Sequence, residues 1–170
     1  NIDMLIGMPA TGSPQAQLLS RSDTGEGTGA AQVALLDMPW SNSYADIQAN
    51  LRLLGDAISK RSKAEATIRA MDGQLNSIAA NGRGRVAAYY QRRGFMTGTG
   101  TLIDDLMIRS NLVNLATKIG KPSLAQVSLE EMVDAKPDFI IMESSTAAIS
   151  DQGSEMLHHP ALANIPRLYV

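Results

Sequence analysis

The chain has 170 residues, a length typical of one domain or of two small ones. Hydrophobic residues make up 44% of it and charged residues 19%, a composition that allows a buried core and excludes disordered, collagen-like and coiled-coil chains. The formal net charge of −2 excludes a bulk basic surface for nucleic acid, and the absence of cysteine excludes disulfides, thiolate metal sites and a cysteine nucleophile.

Two short apolar runs near the start of the chain predict strands. Residues 4–6 and 33–36 are apolar and are followed by Gly or Pro, which indicates buried parallel strands. Between them, Ser13 and Pro14 suit the N-cap and first position of a short helix that reaches residue 19. The Gly- and Thr-rich residues 22–31 predict a surface loop.

The next segment, 43–80, contains no proline and predicts a long helix. Two apolar stripes with helical spacing flank the polar stretch 59–63: Ile47, Leu51, Leu54 and Ile58 before it, and Ile68, Met71, Leu75 and Ile78 after it. A single helix over about 44–80 would be roughly 55 Å long at 1.5 Å per residue, longer than a small domain is wide. The pattern therefore favours one helix that links two cores. The alternative is two helices broken near Gly55 or within 59–63.

A second series of strands and helices follows. Residues 86–90 and 139–142 predict strands, and 168–170 begin a last one. A tight turn at 97–101 precedes a predicted helix over 102–119, Ser128 caps a short helix over 129–133, and 157–165 form a short helical piece. Alternating strands and helices indicate parallel sheets, so the predicted fold class is α/β, with two lobes linked by one long α-helix.

Five stretches of the chain form a recognisable series: residues 2–7, 51–55 with 64–65, 98–105 running to 114–116, 127–130 with 136–141, and 159–163. Taken in this order, they resemble the class III periplasmic substrate-binding proteins of ABC importers, which carry ferric siderophores, haem and cobalamin. The resemblance implies that 1–42 form the rear part of the N-terminal lobe, 43–81 the interlobe helix, and 82–170 an incomplete C-terminal lobe. Both ends of the chain also have strand character, and we expect a fragment truncated at both ends.

The resemblance also implies a function and partners. Such a protein is a monomer in the periplasm that binds a metal chelate between its lobes and delivers it to permease subunits in the inner membrane. It catalyses no reaction and has no cofactor or metal site of its own. Glu130 matches the acidic residue that docks the second lobe on the permease, although a first-turn glutamate also stabilises its helix. The matching first-lobe stretch, 11–15, has no carboxylate.

Ligands of open α/β sheets lie outside the carboxyl ends of the strands. The side chains expected there are Met8, Trp40, Tyr90, Arg92, Arg93 and Ser144. Aromatic rings stack on the organic shell of a chelate, and guanidinium groups bind its carboxylates. The arginines also suit a solvated turn and Trp40 suits a core, while Tyr89 and Tyr90 must face opposite sides of their strand, so that one is core and the other lines the cleft.

Two further motifs favour structural roles. The turn 97–101 could offer N–H groups to an anion but lacks the Lys of a phosphate-binding loop, so a turn with an N-cap is favoured. His158 and His159 fit a surface pair better than a metal site. An iron–siderophore receptor is the leading hypothesis, a haem or cobalamin receptor is the alternative within the same clan, and an α/β enzyme that handles phosphate or nucleotides is the alternative of another class.

Overall fold

The computed structural model describes residues 4–7, 34–91, 94–142 and 156–170. The chain divides into two compact units, Asn1–Ser41 with Ala45–Leu75 and Asn42–Tyr44 with Asn76–Val170. The predicted helix over 13–19 and loop over 22–31 lie outside the described residues. Among the helices that are described, none combines the length and the apolar character needed to cross a membrane.

The first unit contains a pair of parallel strands. Strand β1 spans Met4–Gly7 and strand β2 spans Ala34–Asp37, with Met4 opposite Ala34 and Gly7 opposite Asp37. Beyond the pair, the N–H of Met38 donates a hydrogen bond of 2.7 Å to the carbonyl oxygen of Gly7. Both strands predicted from the apolar runs are thus confirmed.

The prediction of one continuous helix over 44–80 is wrong. Helix α1 spans Tyr44–Ala57 and helix α2 spans Arg61–Ser77. Between them Ser59 has a φ of 54°. The N–H of Lys60 donates to the carbonyl oxygen of Gly55 at 2.6 Å, and the N–H of Ser59 donates to the carbonyl oxygen of Asp56 at 3.1 Å. This pair of bonds is a Schellman motif, which ends a helix by satisfying its last carbonyls. The chain thus turns at residues 58–60, and the rest of the polar stretch begins α2, as in the alternative with two helices.

The two helices form an antiparallel hairpin. Its contacts pair early residues of α1 with late residues of α2: Gln48 Nε2 lies 2.8 Å from Asp72 Oδ1, and Arg52 Nε lies 2.8 Å from Glu65 Oε1. The hydrogen bond from Arg52 lowers the pKa of Glu65. Close to the turn, a Cβ added to Gly55 would lie 2.6 Å from the Cβ of Ala64, so the absence of a side chain at Gly55 lets the helices touch.

The second unit is built on a six-stranded mixed sheet. Its strands are β3 (Arg85–Tyr90), β4 (Phe95–Thr97), β5 (Leu112–Asn114), β6 (Leu124–Gln126), β7 (Phe139–Met142) and β8 (Arg167–Tyr169). The order is β6-β4-β3-β7-β8, and β5 pairs with the start of β3. Strands β3, β7 and β8 are parallel, as predicted, and β5 is parallel to β3. Strand β5 was not predicted, nor were β4 and β6, which run antiparallel to their neighbours. Three-residue strands are too short to show a periodicity in the sequence.

The short helix predicted after Ser128 is confirmed, whereas the helices predicted over 102–119 and 157–165 are interrupted. Helix α3 spans Leu102–Arg109, α4 spans Leu115–Lys118 and α5 spans Leu129–Ala135, while the piece predicted at 157–165 consists of two 3-10 turns, Met156–His158 and Pro160–Leu162. The prediction of one helix over 102–119 is therefore wrong. Asn111 takes a φ of 57°, which a helix does not allow, and β5 follows it.

Two core clusters cover the two faces of the sheet. Ala88 and Tyr90 of β3 join one cluster with Met96, Leu115 and Ile140, while Ala87 and Tyr89 join another with Met107 and Phe139. This alternation is the two-residue period of a strand that is buried on both faces. Helix α5 packs Met132 into the first cluster and is held by a capping box between Ser128 and Glu131.

Candidate functional site

The carboxyl end of strand β2 carries an exposed aromatic side chain. Trp40 follows β2 by three residues and is 69% exposed, so the structure does not support the alternative that it packs in a core. The segment around it is held by hydrogen bonds: Asn50 of α1 donates from Nδ2 to the carbonyl of Pro39 at 2.7 Å and to Oγ of Ser41 at 2.9 Å. The sequence did not reveal Asn50. The only sign of its role in the sequence is an amide side chain on the helix that follows the loop after β2.

The structure contradicts the prediction that Tyr90 contacts the ligand. Tyr90 is 0% exposed and belongs to a core cluster, and Tyr89 on the opposite face is only 9% exposed. The two rings do face opposite sides of β3, but both sides are covered, so neither ring lines a cleft in this unit. The other predicted ligand contacts, namely Met8, Arg92, Arg93 and Ser144, lie outside the described residues.

Glu130 lies on the surface in the first turn of α5. Hydrogen bonds from its own backbone N–H and from the Ser128 side chain lower its pKa, and the nearby His159 lowers it further. Its neighbour Glu131 is engaged otherwise: Glu131 accepts the N–H of Ser128 and lies 2.5 Å from the ammonium of Lys121, which lowers the pKa of Glu131. Glu130 is therefore an exposed, ionised carboxylate that accepts a hydrogen bond from Ser128 and is not the glutamate of the capping box.

The turn 97–101 is filled by the protein's own carboxylate. Asp104 is 6% exposed, and its oxygens accept from the side chains of Asn114 and Thr117 at 3.0 Å each and from the N–H of Gly100 at 3.4 Å. Oγ1 of Thr101 accepts the N–H of Asp104 and so caps α3. Because Asp104 already accepts the N–H of Gly100 and Thr101 already caps the helix, the structural interpretation of the turn is favoured.

The paired histidines show no arrangement for a metal ion. Nδ1 of His159 accepts the N–H of Ala161 at 3.2 Å and caps the second 3-10 turn, and both His158 and His159 are exposed. Within 4–7, 34–91, 94–142 and 156–170, no three His, Asp or Glu side chains are grouped as metal ligands.

Comparison with known proteins identifies the family. A family model described as "Periplasmic binding protein" matches residues 21–167, which is most of the chain. The chain belongs to the periplasmic binding protein family. The comparison with curated proteins gives no match.

Solved structures share the fold of this periplasmic binding protein at low sequence identity. The haem-binding protein RhuT of Roseiflexus sp. RS-1, in its apo form, has a TM-score of 0.74 at 18% identity. The aligned residues make up 98% of this chain and 66% of RhuT. The vitamin B12-binding protein BtuF of Vibrio cholerae has a TM-score of 0.65 at 16% identity, with coverage of 98% and 64%.

A third structure belongs to an ABC-type Fe3+-hydroxamate transport system of Saccharomonospora viridis. Its TM-score is 0.62 at 14% identity, and the aligned residues make up 99% of this chain and 61% of that protein. The chain thus spans about three fifths to two thirds of the length of these structures. The predicted class III periplasmic binding fold is confirmed.

Proposed function

We propose that the protein is an extracytoplasmic solute receptor that binds an iron–siderophore-type chelate and delivers it unchanged to an ABC permease. The observation that carries the proposal is the shared fold, since the similar structures are described as binding haem or vitamin B12 or as part of Fe3+-hydroxamate transport. All three ligands hold a metal inside an organic shell. The family match over residues 21–167 supports the role of a receptor.

The chemistry of the ligand contacts fits such a chelate. Trp40 offers an exposed apolar ring at the carboxyl end of a parallel strand, where α/β sheets bind ligands. Arg92 and Arg93 supply guanidinium groups for the negative oxygens of a ferric chelate, and Met8 and Ser144 follow β1 and β7. We infer that Trp40, Arg92 and Arg93 matter most, since the ring and the two charges match the apolar shell and the negative oxygens of the ligand.

Fluorescence of Trp40 tests the proposal directly, because Trp40 is the only tryptophan of the chain. Purified protein is titrated with a ferric trihydroxamate, haemin and cyanocobalamin, with free tryptophan amide as the control for absorption by the ligand, and calorimetry gives an independent Kd. Loss of a charge-assisted bond is worth about 1.5–3 kcal/mol, so Arg92→Ala or Arg93→Ala should weaken binding roughly ten- to a hundredfold.

The matched control is Arg69→Ala, which removes an exposed arginine from α2 and should leave the Kd unchanged. Binding of the trihydroxamate alone supports the siderophore assignment, whereas binding of haemin or cyanocobalamin alone shifts the assignment to that ligand. If none of the three binds, the receptor proposal is overturned. If one binds and neither arginine matters, the assignment of these arginines as ligand contacts is overturned.

A further inference from the structure

The backbone on both sides of Trp40 is tied to one side chain. Nδ2 of Asn50 lies 2.7 Å from the carbonyl oxygen of Pro39 and 2.9 Å from Oγ of Ser41, the residues that precede and follow Trp40. An amide NH₂ has two N–H donors, so Asn50 can make both bonds at once. Because the Pro39 carbonyl can only accept, the amide must present nitrogen and not oxygen to it.

Asn50 is itself held in place. It lies half-buried on α1, and α1 is held against α2 by the contacts of Gln48 and Arg52 described above. The other side of the segment is tied to β1, because the N–H of Met38 donates to Gly7. The proline ring restricts φ at position 39. The backbone that carries Trp40 is therefore constrained from two directions.

The ring that this backbone carries packs against little protein, since Trp40 is 69% exposed. A folded chain gains little by constraining the backbone beneath a ring that contributes almost nothing to its own core. Such a constraint does help a ring that contacts a ligand, because ordering a contact residue at the moment of binding costs affinity. Rigid aromatic side chains supply contact area at a low entropic cost.

We infer that Asn50 is a positioning residue that holds Trp40 ready to stack on a flat, apolar face of the bound ligand. The inference rests on the proposed function for its ligand, but the restraint on Trp40 can be measured without any ligand. Asn50 affects binding of the ligand only by holding Trp40 in position.

The first test is the fluorescence anisotropy decay of the ligand-free protein, in which Trp40 is the only tryptophan. Asn50→Asp keeps the shape and replaces the donor nitrogen Nδ2 by an oxygen that only accepts, and Asn50→Ala removes the group without adding charge. Both should raise the amplitude of the fast component of the decay. Thr67→Ala is the matched control, because it removes an exposed hydrogen bond within α2, from Oγ1 of Thr67 to the carbonyl of Lys63, that does not involve α1 or the segment, and it should leave the decay unchanged.

The second test is a double-mutant cycle on affinity, measured by calorimetry with whichever of the ferric trihydroxamate, haemin and cyanocobalamin binds. Asn50→Ala should weaken binding about two- to tenfold, which corresponds to the ~0.5–1.5 kcal/mol cost of ordering one side chain. In a Trp40→Ala background the same substitution should have no further effect. A general loss of fold integrity would weaken binding in both backgrounds.

Each result decides a specific point. An unchanged anisotropy decay in both Asn50 variants overturns the positioning role. An Asn50→Ala effect that persists in the Trp40→Ala background, or no effect on affinity at all, overturns the link to the ligand. Failure of the unmodified protein to bind any probe overturns the proposed function together with that link, while the anisotropy decay still decides whether Asn50 restrains Trp40.

Discussion

Oδ2 of Asp105 accepts a hydrogen bond of 2.9 Å from the backbone N–H of Tyr44, across 61 residues of the chain. Tyr44 is the first residue of α1, where backbone N–H groups have no acceptor within the helix. Arg109 completes the cluster, because its Nε lies 2.9 Å from Oδ2 of Asp105 and its guanidinium carbon lies 5.1 Å from the centre of the Tyr44 ring. The carboxylate therefore caps the start of α1 and orients the cation that covers the ring.

This cluster predicts a dependence of stability on pH. Burial raises the pKa of Asp105, but the hydrogen bonds from Tyr44 and Arg109 outweigh burial and hold the pKa below its usual value of 3.8. A lowered folded-state pKa stabilises the protein above the unfolded-state value, and this contribution disappears as the pH falls through the folded-state pKa. The free energy of unfolding should accordingly fall below about pH 4 in part through Asp105.

Asp105→Asn isolates this contribution. The amide oxygen still accepts from Tyr44 but carries no charge, so the free energy of unfolding at pH 7 should fall by roughly 1 kcal/mol, the difference between a charged and a neutral hydrogen bond. The variant should also lose part of the slope below pH 4. Urea denaturation from pH 2.5 to 7 measures both, with Asp134→Asn on the exposed face of α5 as the control. Parallel pH profiles for Asp105→Asn and the unmodified protein would contradict the assignment.

Two glycines of the helical hairpin should respond in opposite directions to alanine. Gly55→Ala places a Cβ 2.6 Å from that of Ala64, and this overpacking should cost about 1–3 kcal/mol. Gly73→Ala on α2 meets no atom within 4 Å and should stabilise the helix by about 0.5–1 kcal/mol. Urea denaturation of both variants checks the pair. Equal stability changes would contradict the close contact. Ala64→Gly should destabilise Gly55→Ala less than it destabilises the unmodified protein, because it removes the clashing Cβ.

The same hairpin shows what the sequence could and could not predict. The apolar stripes correctly predicted helical structure on both sides of residues 59–63, because they report which face of a helix is buried. They did not report the turn, since Ser59 adopts its φ of 54° without being glycine, and glycine is the usual signal of a helix end. Asn111 ended the predicted helix over 102–119 in the same way, with a φ of 57°.

The candidate site was predictable only in part. The position of Trp40 after a parallel strand left core packing and cleft lining open, and the structure shows an exposed ring; its contact with a ligand stays a prediction. Tyr90 is the last residue of β3, whose sheet is covered on both faces, and a sequence pattern cannot show whether the second face is covered. Asn50 was missed because its partners are backbone and hydroxyl groups about ten residues away, which no spacing rule connects.

The buried amide of Asn114 should be among the most sensitive polar groups of the second unit. It is 2% exposed, donates to the carbonyl of Thr97 at 3.1 Å and to Asp104 at 3.0 Å, and accepts the N–H of Ala116 at 3.1 Å. Asn114→Ala leaves these buried partners unsatisfied and should lower the free energy of unfolding by about 1–3 kcal/mol. Asn164→Ala, at an exposed asparagine, should change it little. Similar losses for the two variants in urea denaturation would contradict the network.

Docking on a permease should depend on the charge of Glu130. Its lowered pKa keeps the carboxylate ionised at neutral pH, and it stands exposed beside the capping box of α5. Charges at the rim of an interface act mainly on the association rate and on its salt dependence. Glu130→Lys should therefore slow transport of the ligand by the reconstituted importer, and the deficit should change with ionic strength, while the Kd for the ligand stays unchanged.

The control for this prediction is Asp134→Lys, which makes the same charge change on the same helix, away from the first turn. A general effect of net charge would slow transport equally in both variants, whereas a docking role affects Glu130→Lys alone. Glu130→Gln should give an intermediate rate, because it removes an attraction without adding a repulsion. Transport at the unmodified rate by Glu130→Lys, or a weakened Kd for the ligand, would show that Glu130 does not dock the permease.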